Sequence, residues 1–507
     1  MITDMPWVCG GCSSEYGFSE GSQPLGIFRP VWLVATGEVR IEPFGLHVWN
    51  NATADTVYVS MELKNYGKAT VDFECVCRCY DAGGHQLFQS TERLTLENGK
   101  TSVVSRSFAV RQPALWSPEH PHLYRFVTIV RQNGEITDSV STPFGIRSFS
   151  WPAMRKDGDG RFFFNGKPFF INGVCEYEHI FGNSHAFSDE QIAARVKMIQ
   201  NAGFNSVRDA HQPHNLRYLE YWDKEGILFW PQFSSHIWYD TPEFRENFKM
   251  LLRRWIKERR NSPSVVLWGL QNESVLPEDF ARECVDIIRE MDPMAREMRL
   301  VTTCNGGVGT DWNVIQNWSG TYGGNIFSYD RELSRPNQLL NGEYGAWRTL
   351  GFHTEPCEFD PNGPWSEEHM SQILETKVRL AEKVRNRVCG HFLWFLSSHD
   401  NPGRRHQADE AYRLMDKVGP FNHKGLLTPW DEPADAYYMY QSNYTDAAEK
   451  PLVYIVSHTW PGRFAASGKA TVEVYSNCDS VRLYNDAGGE LLRYAGKMRG
   501  WHAFRVG

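Results

Sequence analysis

The stretch Ser264–Glu273, SVVLWGLQNE, decides the fold. Val265, Val266, Leu267, Trp268 and Leu270 are apolar, and the run ends abruptly in Gln271-Asn272-Glu273. A near-continuous apolar run of this length reads as a strand buried on both faces, as in a parallel sheet. In a (β/α)8 barrel the C-terminal ends of the strands carry the catalytic groups. A carboxylate set there by a rigid strand is a candidate general acid, and the neighbouring amide can hold a substrate hydroxyl. Spacing alone leaves a second use open, in which Asn272 and Glu273 cap the helix that follows Pro277.

A second stretch, Leu339–Tyr344 (LLNGEY), is again a short apolar run ending in a carboxylate, Glu343. Two strand-end carboxylates on one barrel are the minimum equipment for glycoside hydrolysis. LWGLQNES and NGEYGAW resemble the acid/base and nucleophile segments of glycoside hydrolase family 2, the family of β-galactosidases, β-glucuronidases and β-mannosidases. The resemblance implies that Glu273 is the acid/base and Glu343 the nucleophile. No organic cofactor is needed for that chemistry.

Length and composition fit this scale. A chain of 507 residues exceeds one core and implies about three domains. Aromatic residues reach 14%, with 18 Trp and 21 Tyr, which suits sugar stacking but also suits a large buried barrel. The net charge of −8 and the lack of a basic concentration give no sign of nucleic-acid binding. No apolar run approaches the ~20 residues of a membrane span. The eleven cysteines form no metal pattern. Cys75, Cys77 and Cys79 alternate along VDFECVCRCY and read as small packing residues on one strand face. Cys9 and Cys12 have no partner pair downstream, which speaks against zinc. An odd, scattered count favours a reducing compartment.

In chain order, Met1–Ser22 lacks the basic and apolar regions of a signal peptide. GIFRPVWL at Gly26–Leu33 resembles the close of the family's N-terminal jelly roll, so residues 1–33 are expected to be its remnant, in a chain shortened at this end. Short alternating runs from Val34 (VRIEPFGLHVW, TVYVSMELKN, TVDFECVCRCY, SVVSRSFAV, HLYRFVTIV) predict an immunoglobulin-like β-sandwich over 34–148. LWSP at 115–118 and FGIR at 144–147 resemble the family's landmarks at its end. Strands then alternate with helices, the signature of a (β/α)8 TIM barrel, expected over 149–446. FFFNGKPFFINGV leads into the first barrel strand. FNSVRDA, GILFWPQF, SVVLWGLQNE, RLVTTC, VIQNWSGT, QLLNGEYG and GHFLWFLS supply strands two to eight. Ser188 with Gln191 predicts a capping box for the first helix, and 242–260 and 367–388 predict helices. PLVYIVSHTW, KATVEVYSN and SVRLYND predict a partial β-sandwich over 447–507.

The resemblance also implies binding residues. Arg208 and His211 fall on an Arg/His segment, with Asp209-Ala210 where the family usually has Thr-Ser. Arg208 is expected to pair with Glu343, because an adjacent cation keeps a carboxylate ionised; His211 to bond the sugar or the nucleophile; Asp209 to read a sugar hydroxyl. Asn272 is expected to hold the 2-hydroxyl. Tyr322 is expected to hydrogen-bond Glu343, with Trp318 beside it, and Trp394 to form the sugar-stacking floor. Glu176, Tyr177, Glu178 and His179 resemble a His/Asp-rich loop that holds a metal in some members; no metal is expected here. His391 is expected to be structural. Asn422 and Lys424 form an Asn-x-Lys pair, a glucuronidase feature in which the lysine meets the sugar carboxylate. The following GLLTPWDEPADAYYMY looks more like the β-galactosidase branch. A terminal β-D-galactosyl residue is therefore the first expectation, a β-glucuronide the second, and a non-catalytic carbohydrate binder or inactive fragment the third. His185, His214, His236 and Arg404 lie in barrel loops and could serve a charged sugar. The expected partner is a carbohydrate substrate, without nucleic acid or membrane; a homo-oligomer stays open.

Overall fold

The computed structural model describes residues 27–234, 240–274, 276–349, 367–400, 421–456, 471–485, 487–495 and 500–505. Two compact units divide the chain. One takes in 170–212 and 314–507, the other 29–169 and 213–313.

The second unit opens with the sandwich. Its strands are β1 Val39–Asn50, β2 Thr56–Asn65, β3 Val71–Tyr80, β4 Gln86–Leu96, β5 Thr101–Ala109, β6 Tyr124–Gln132 and β7 Glu135–Phe144. They pair antiparallel as β1-β2-β5 and β4-β3-β6-β7. Strict alternation on β2 sends Val57, Val59, Met61 and Leu63 inward, as a period of two requires. Cys75, Cys77 and Cys79 lie in the same core, and burial pushes the Cys79 thiol up to about 12. Strands β4 and β7 are absent from the sequence expectation. Both are sheet edges, and most of their residues face solvent, so no apolar alternation marks them.

The two landmark segments tie this sandwich to residues 213–313. The Trp116 indole donates to the Asp223 carbonyl at 2.8 Å. The buried Arg147 donates from Nε to the Pro263 carbonyl at 2.9 Å. Asn261 accepts from the Val48 amide at 2.8 Å and donates to the Leu46 carbonyl at 2.7 Å. A Cβ on Gly145 would stand 2.8 Å from side-chain carbons of both Trp116 and Pro263, so only glycine fits the seam.

A short antiparallel sheet, β8 Phe149–Ser150, β9 Phe162–Phe164 and β10 Lys167–Phe169, leads to the barrel. Its parallel strands are β11 Ile171–Glu176, β12 Ser206–Asp209, β13 Leu228–Trp230, β14 Leu267–Asn272, β15 Leu300–Cys304, β16 Trp312–Asn317, β17 Leu340–Gly345 and β18 Gly390–Trp394. Together they make the eight-stranded sheet of a (β/α)8 barrel. In the first unit β11 pairs with β12 and β18, and β17 with β16 and β18. In the other, β14 pairs with β15. The helices are α1 Asp189–Asn201, α2 Arg217–Glu225, α3 Pro242–Arg259, α4 Glu278–Met291, α5 Tyr329–Leu333, α6 Glu367–Val384 and α7 Asp435–Tyr444. Ser188 caps α1 in a complete capping box. Helix α4 takes Pro277 as its N-cap, so Asn272 and Glu273 are not its caps.

Beyond β18 come the paired β19 His399–Asp400 and β20 Phe421–Asn422. The tail holds β21 Val453–Ile455, β22 Thr471–Ser476, β23 Ser480–Tyr484, β24 Glu490–Ala495 and β25 Gly500–Arg505. They form the sheets β21-β22-β25 and β23-β24. The last two strands were not among the sequence expectations. Residues 1–26, with Cys9 and Cys12, lie outside the described residues.

Candidate active site

In the first unit, Glu343 sits near the C-terminal end of β17 and is buried. The strand bulges there. Against β18, Asn341 faces His391 and Tyr344 faces Leu393, so Gly342 and Glu343 together oppose only Phe392. Against β16, Ile315 faces Asn341 and Gln316 faces Glu343. A bulge of this kind interrupts the ladder and re-aims a side chain. Side chains bond to the backbone at the bulge. Arg208 Nη1 donates to the Gly342 carbonyl at 3.1 Å, and the Glu343 amide donates to Asn341 Oδ1 at 3.2 Å.

Arg208 comes from β12 and is wholly buried. Its Nη1 also donates to Glu343 Oε1 at 2.6 Å, a charge-assisted bond. His211 Nε2 stands 3.8 Å from the same oxygen. The His211 ring stacks on Trp394 with centroids 4.6 Å apart, and Tyr177 meets both edge-on at 6.2 Å. Asp209 is buried beside these groups in register with Glu176. Arg208, His211, Trp394 and Glu343 are thus gathered in one cluster.

Around it lie the other candidates of this unit. The Tyr322 hydroxyl accepts from Arg348 Nη1 at 3.1 Å. Trp318 packs on Tyr322 with centroids 5.5 Å apart and donates to Gln316 Oε1 at 3.1 Å. Asn422 and Lys424 are both buried, on a turn closed by the Lys424 amide to the Asn422 carbonyl at 3.1 Å. The turn is joined to the loop after β17 through Thr349 N–H to the His423 carbonyl at 3.0 Å. Glu176, at the end of β11, is paired with Arg195, whose Nη2 reaches Asp431 at 2.7 Å. Burial outweighs the Arg195 charge, the Asp431 carboxylate adds to it, and Glu176 is pushed up to about 7. His185 is buried, with Nδ1 2.6 Å from the Glu178 carbonyl, and His214 of the second unit is buried too; neither is a plain surface residue. His236 and Arg404 lie outside the described residues.

In the second unit, β14 delivers Gln271, Asn272 and Glu273. Asn272 is fully buried and its amide donates to the Ser234 carbonyl at 3.1 Å. Gln271 is locked by hydrogen bonds to the Gly306 carbonyl and from Ser274 Oγ. Glu273 is exposed, and its amide donates to the Cys304 carbonyl at 3.0 Å. Its φ is +46°, a left-handed conformation that costs a non-glycine residue about 1 kcal/mol or more and clusters at functional sites. Glu178, Asn305 and Ala346, just beyond β11, β15 and β17, share this sign of φ at 48°, 54° and 59°.

Sequence reasoning passed over Asn341 and Tyr329. A polar residue at the second position of a buried strand was the available signal for Asn341.

Sandwich and eight-stranded barrel define a multidomain barrel protein. Two family models sharpen this: "Glycosyl hydrolases family 2" matches residues 39–147, and "Glycosyl hydrolases family 2, TIM barrel domain" matches residues 156–324. The chain belongs to glycoside hydrolase family 2. A Formosa agariphila protein provisionally named a β-glucuronidase is 28% identical over 502 residues, which is 90% of this chain and 58% of that protein. A β-galactosidase of Bacteroides ovatus is 28% identical over 258 residues, covering 49% of this chain and 30% of the relative. The structure of Bacteroides uniformis β-glucuronidase 2 covalently bound to cyclophellitol-6-carboxylate aziridine matches with a TM-score of 0.81 at 25% identity. That match covers 96% of this chain and 61% of the other.

Proposed function

We propose that the chain is a retaining, exo-acting β-glycosidase with Glu343 as nucleophile and Glu273 as acid/base. The observation that carries this reading is the buried Glu343 carboxylate, aimed by a strand bulge and bonded to Arg208 at 2.6 Å. A Glu343 oxygen attacks the anomeric carbon as the glycosidic bond breaks, and Glu273 gives its proton to the leaving oxygen. The product is a glycosyl ester on Glu343. Water then attacks the anomeric carbon, Glu273 takes its proton, and the ester bond to Glu343 breaks to release the sugar. Asn272 holds the 2-hydroxyl, His211 and Asp209 read further hydroxyls, and Trp394 offers its face to the ring.

For the sugar, a β-glucuronide is the first substrate and a β-galactoside the second. The sequence order of preference was the reverse. Lys424 is buried beside Asn422, and a lysine is a good point-charge partner for a sugar carboxylate. Relatives named β-glucuronidase and β-galactosidase both match over 90% of the chain, so the order rests on Lys424. The β-galactoside reading rests on the relatives named β-galactosidase.

Incubation with nitrophenyl β-glucuronide and nitrophenyl β-galactoside tests both. Cyclophellitol-6-carboxylate aziridine followed by peptide mass mapping tests the nucleophile. The expected label is on Glu343, with the glucuronide cleaved faster. Lys424→Met should raise KM for the glucuronide and leave that for the galactoside within about twofold. Label on another residue, or no turnover of either glycoside, would end the reading.

A further inference from the structure

The mechanism uses the Glu343 side chain; the structure shows equal care over its backbone. At the bulge, Asn341 Oδ1 accepts from the Glu343 amide at 3.2 Å. That bond fixes which end of the Asn341 side chain is oxygen. Its Nδ2 therefore donates, to the Tyr329 hydroxyl at 2.9 Å. Tyr329 has one proton to give, and His391 Nδ1 lies 3.1 Å from its oxygen. His391 Nε2 faces the Tyr444 hydroxyl at 3.4 Å. Burial holds the His391 ring down at about 3, so it stays neutral. Asn341, Tyr329, His391 and Tyr344 are buried, and Tyr344 stacks on His391 at 4.3 Å. This relay of side chains ends on the residue that, in the proposed mechanism, meets the anomeric carbon.

We propose that Asn341 is a positioning residue for the nucleophile, with its amide oriented by Tyr329 and His391. The proposal rests on the reading of Glu343 as nucleophile. A misplacement of about 1 Å costs on the order of 10²-fold in rate, and the Asn341 bond ties down the backbone at the bulge.

Asn341→Ala, Tyr329→Phe and the double variant are assayed with the nitrophenyl glycoside, and hydrogen exchange over the β17 peptide is followed by mass spectrometry. Asn341→Ala should lower kcat about 10²-fold with KM within about twofold, and speed exchange of the Glu343 amide. Tyr329→Phe should lower kcat about tenfold, and the double variant should be no slower than Asn341→Ala, because both act through one chain of bonds. Asn341→Asp keeps the acceptor but sets a second carboxylate beside Glu343. It should move the acid limb of kcat/KM upward by about one pH unit, which a residue that merely keeps the strand folded would not do. Unchanged turnover and exchange in folded Asn341→Ala, or losses that multiply in the double variant, would overturn the proposal. Should Asn341→Ala fail to fold, Tyr329→Phe and Asn341→Asp decide. An active Glu343→Gln variant would instead sink the nucleophile assignment, while exchange of the Glu343 amide still reports whether Asn341 holds it.

Discussion

At the scale of single residues, charge placement sets what each group can do. In the proposed mechanism Glu273→Ala removes the proton donor, so it should spare substrates whose leaving group needs no proton. Added azide should then take the place of water and yield a β-glycosyl azide, since a retaining path inverts twice; an α-azide would remove Glu343 from its role. Lys377 offers a stability test. It is buried in α6, donates to the Asn317 carbonyl at 3.0 Å, and burial pulls it down to about 7, with Glu332 offsetting only part of that pull. Between that value and the ordinary lysine range of ~10.4, the unfolded chain holds a proton that the folded chain does not. Stability from this group therefore rises with pH across that window. Urea unfolding of Lys377→Met, compared with the parent from pH 6.5 to 9.5, should show this rise removed, and parallel curves would refute the placement. The strand-end carboxylates were legible in sequence because apolar runs stop at them. Asn341 and Tyr329 were not, because a hydrogen bond to a bulged backbone leaves no periodic trace.

Elements were read well where one face is buried and poorly where none is. The barrel strands stand out because both faces are covered and the runs are apolar throughout. Edge strands β4 and β7 carry Gln, Glu, Arg, Asp, Ser and Thr on open faces, as edges that resist further pairing do. Helix α1 was legible from its cap alone. Ser188 Oγ accepts from the Gln191 amide at 3.3 Å, and Gln191 Oε1 accepts from the Ser188 amide at 2.8 Å. Ser188→Ala should cost about 1 kcal/mol in chemical denaturation, and Ser188→Asp should recover most of it. No loss in Ser188→Ala would mean that packing of Ile192, Val196 and Ile199 suffices to fix the helix start.

For the whole molecule, a sequence divides naturally at linear boundaries, whereas its compact units take segments far apart in the chain. The sandwich shares a unit with residues 213–313, and the seam between them holds buried polar groups. Arg147 is stripped of water, and burial together with Arg299 pulls its guanidinium well below the ordinary range. Asp223, pushed up to about 6 by burial, accepts from Ser264 N–H and Oγ beside the same seam. A chain beginning at residue 149 would lose Arg147 and Trp116 and expose their acceptors. We expect it to melt well below the parent in a thermal scan, and an unchanged midpoint would show that the sandwich is dispensable. The same seam constrains engineering. A grafted sandwich must supply groups that meet Asp223, Asn261 and Pro263 as this one does. A recombinant crossover at the linker near residue 148 should therefore succeed only when both sides of the seam travel together.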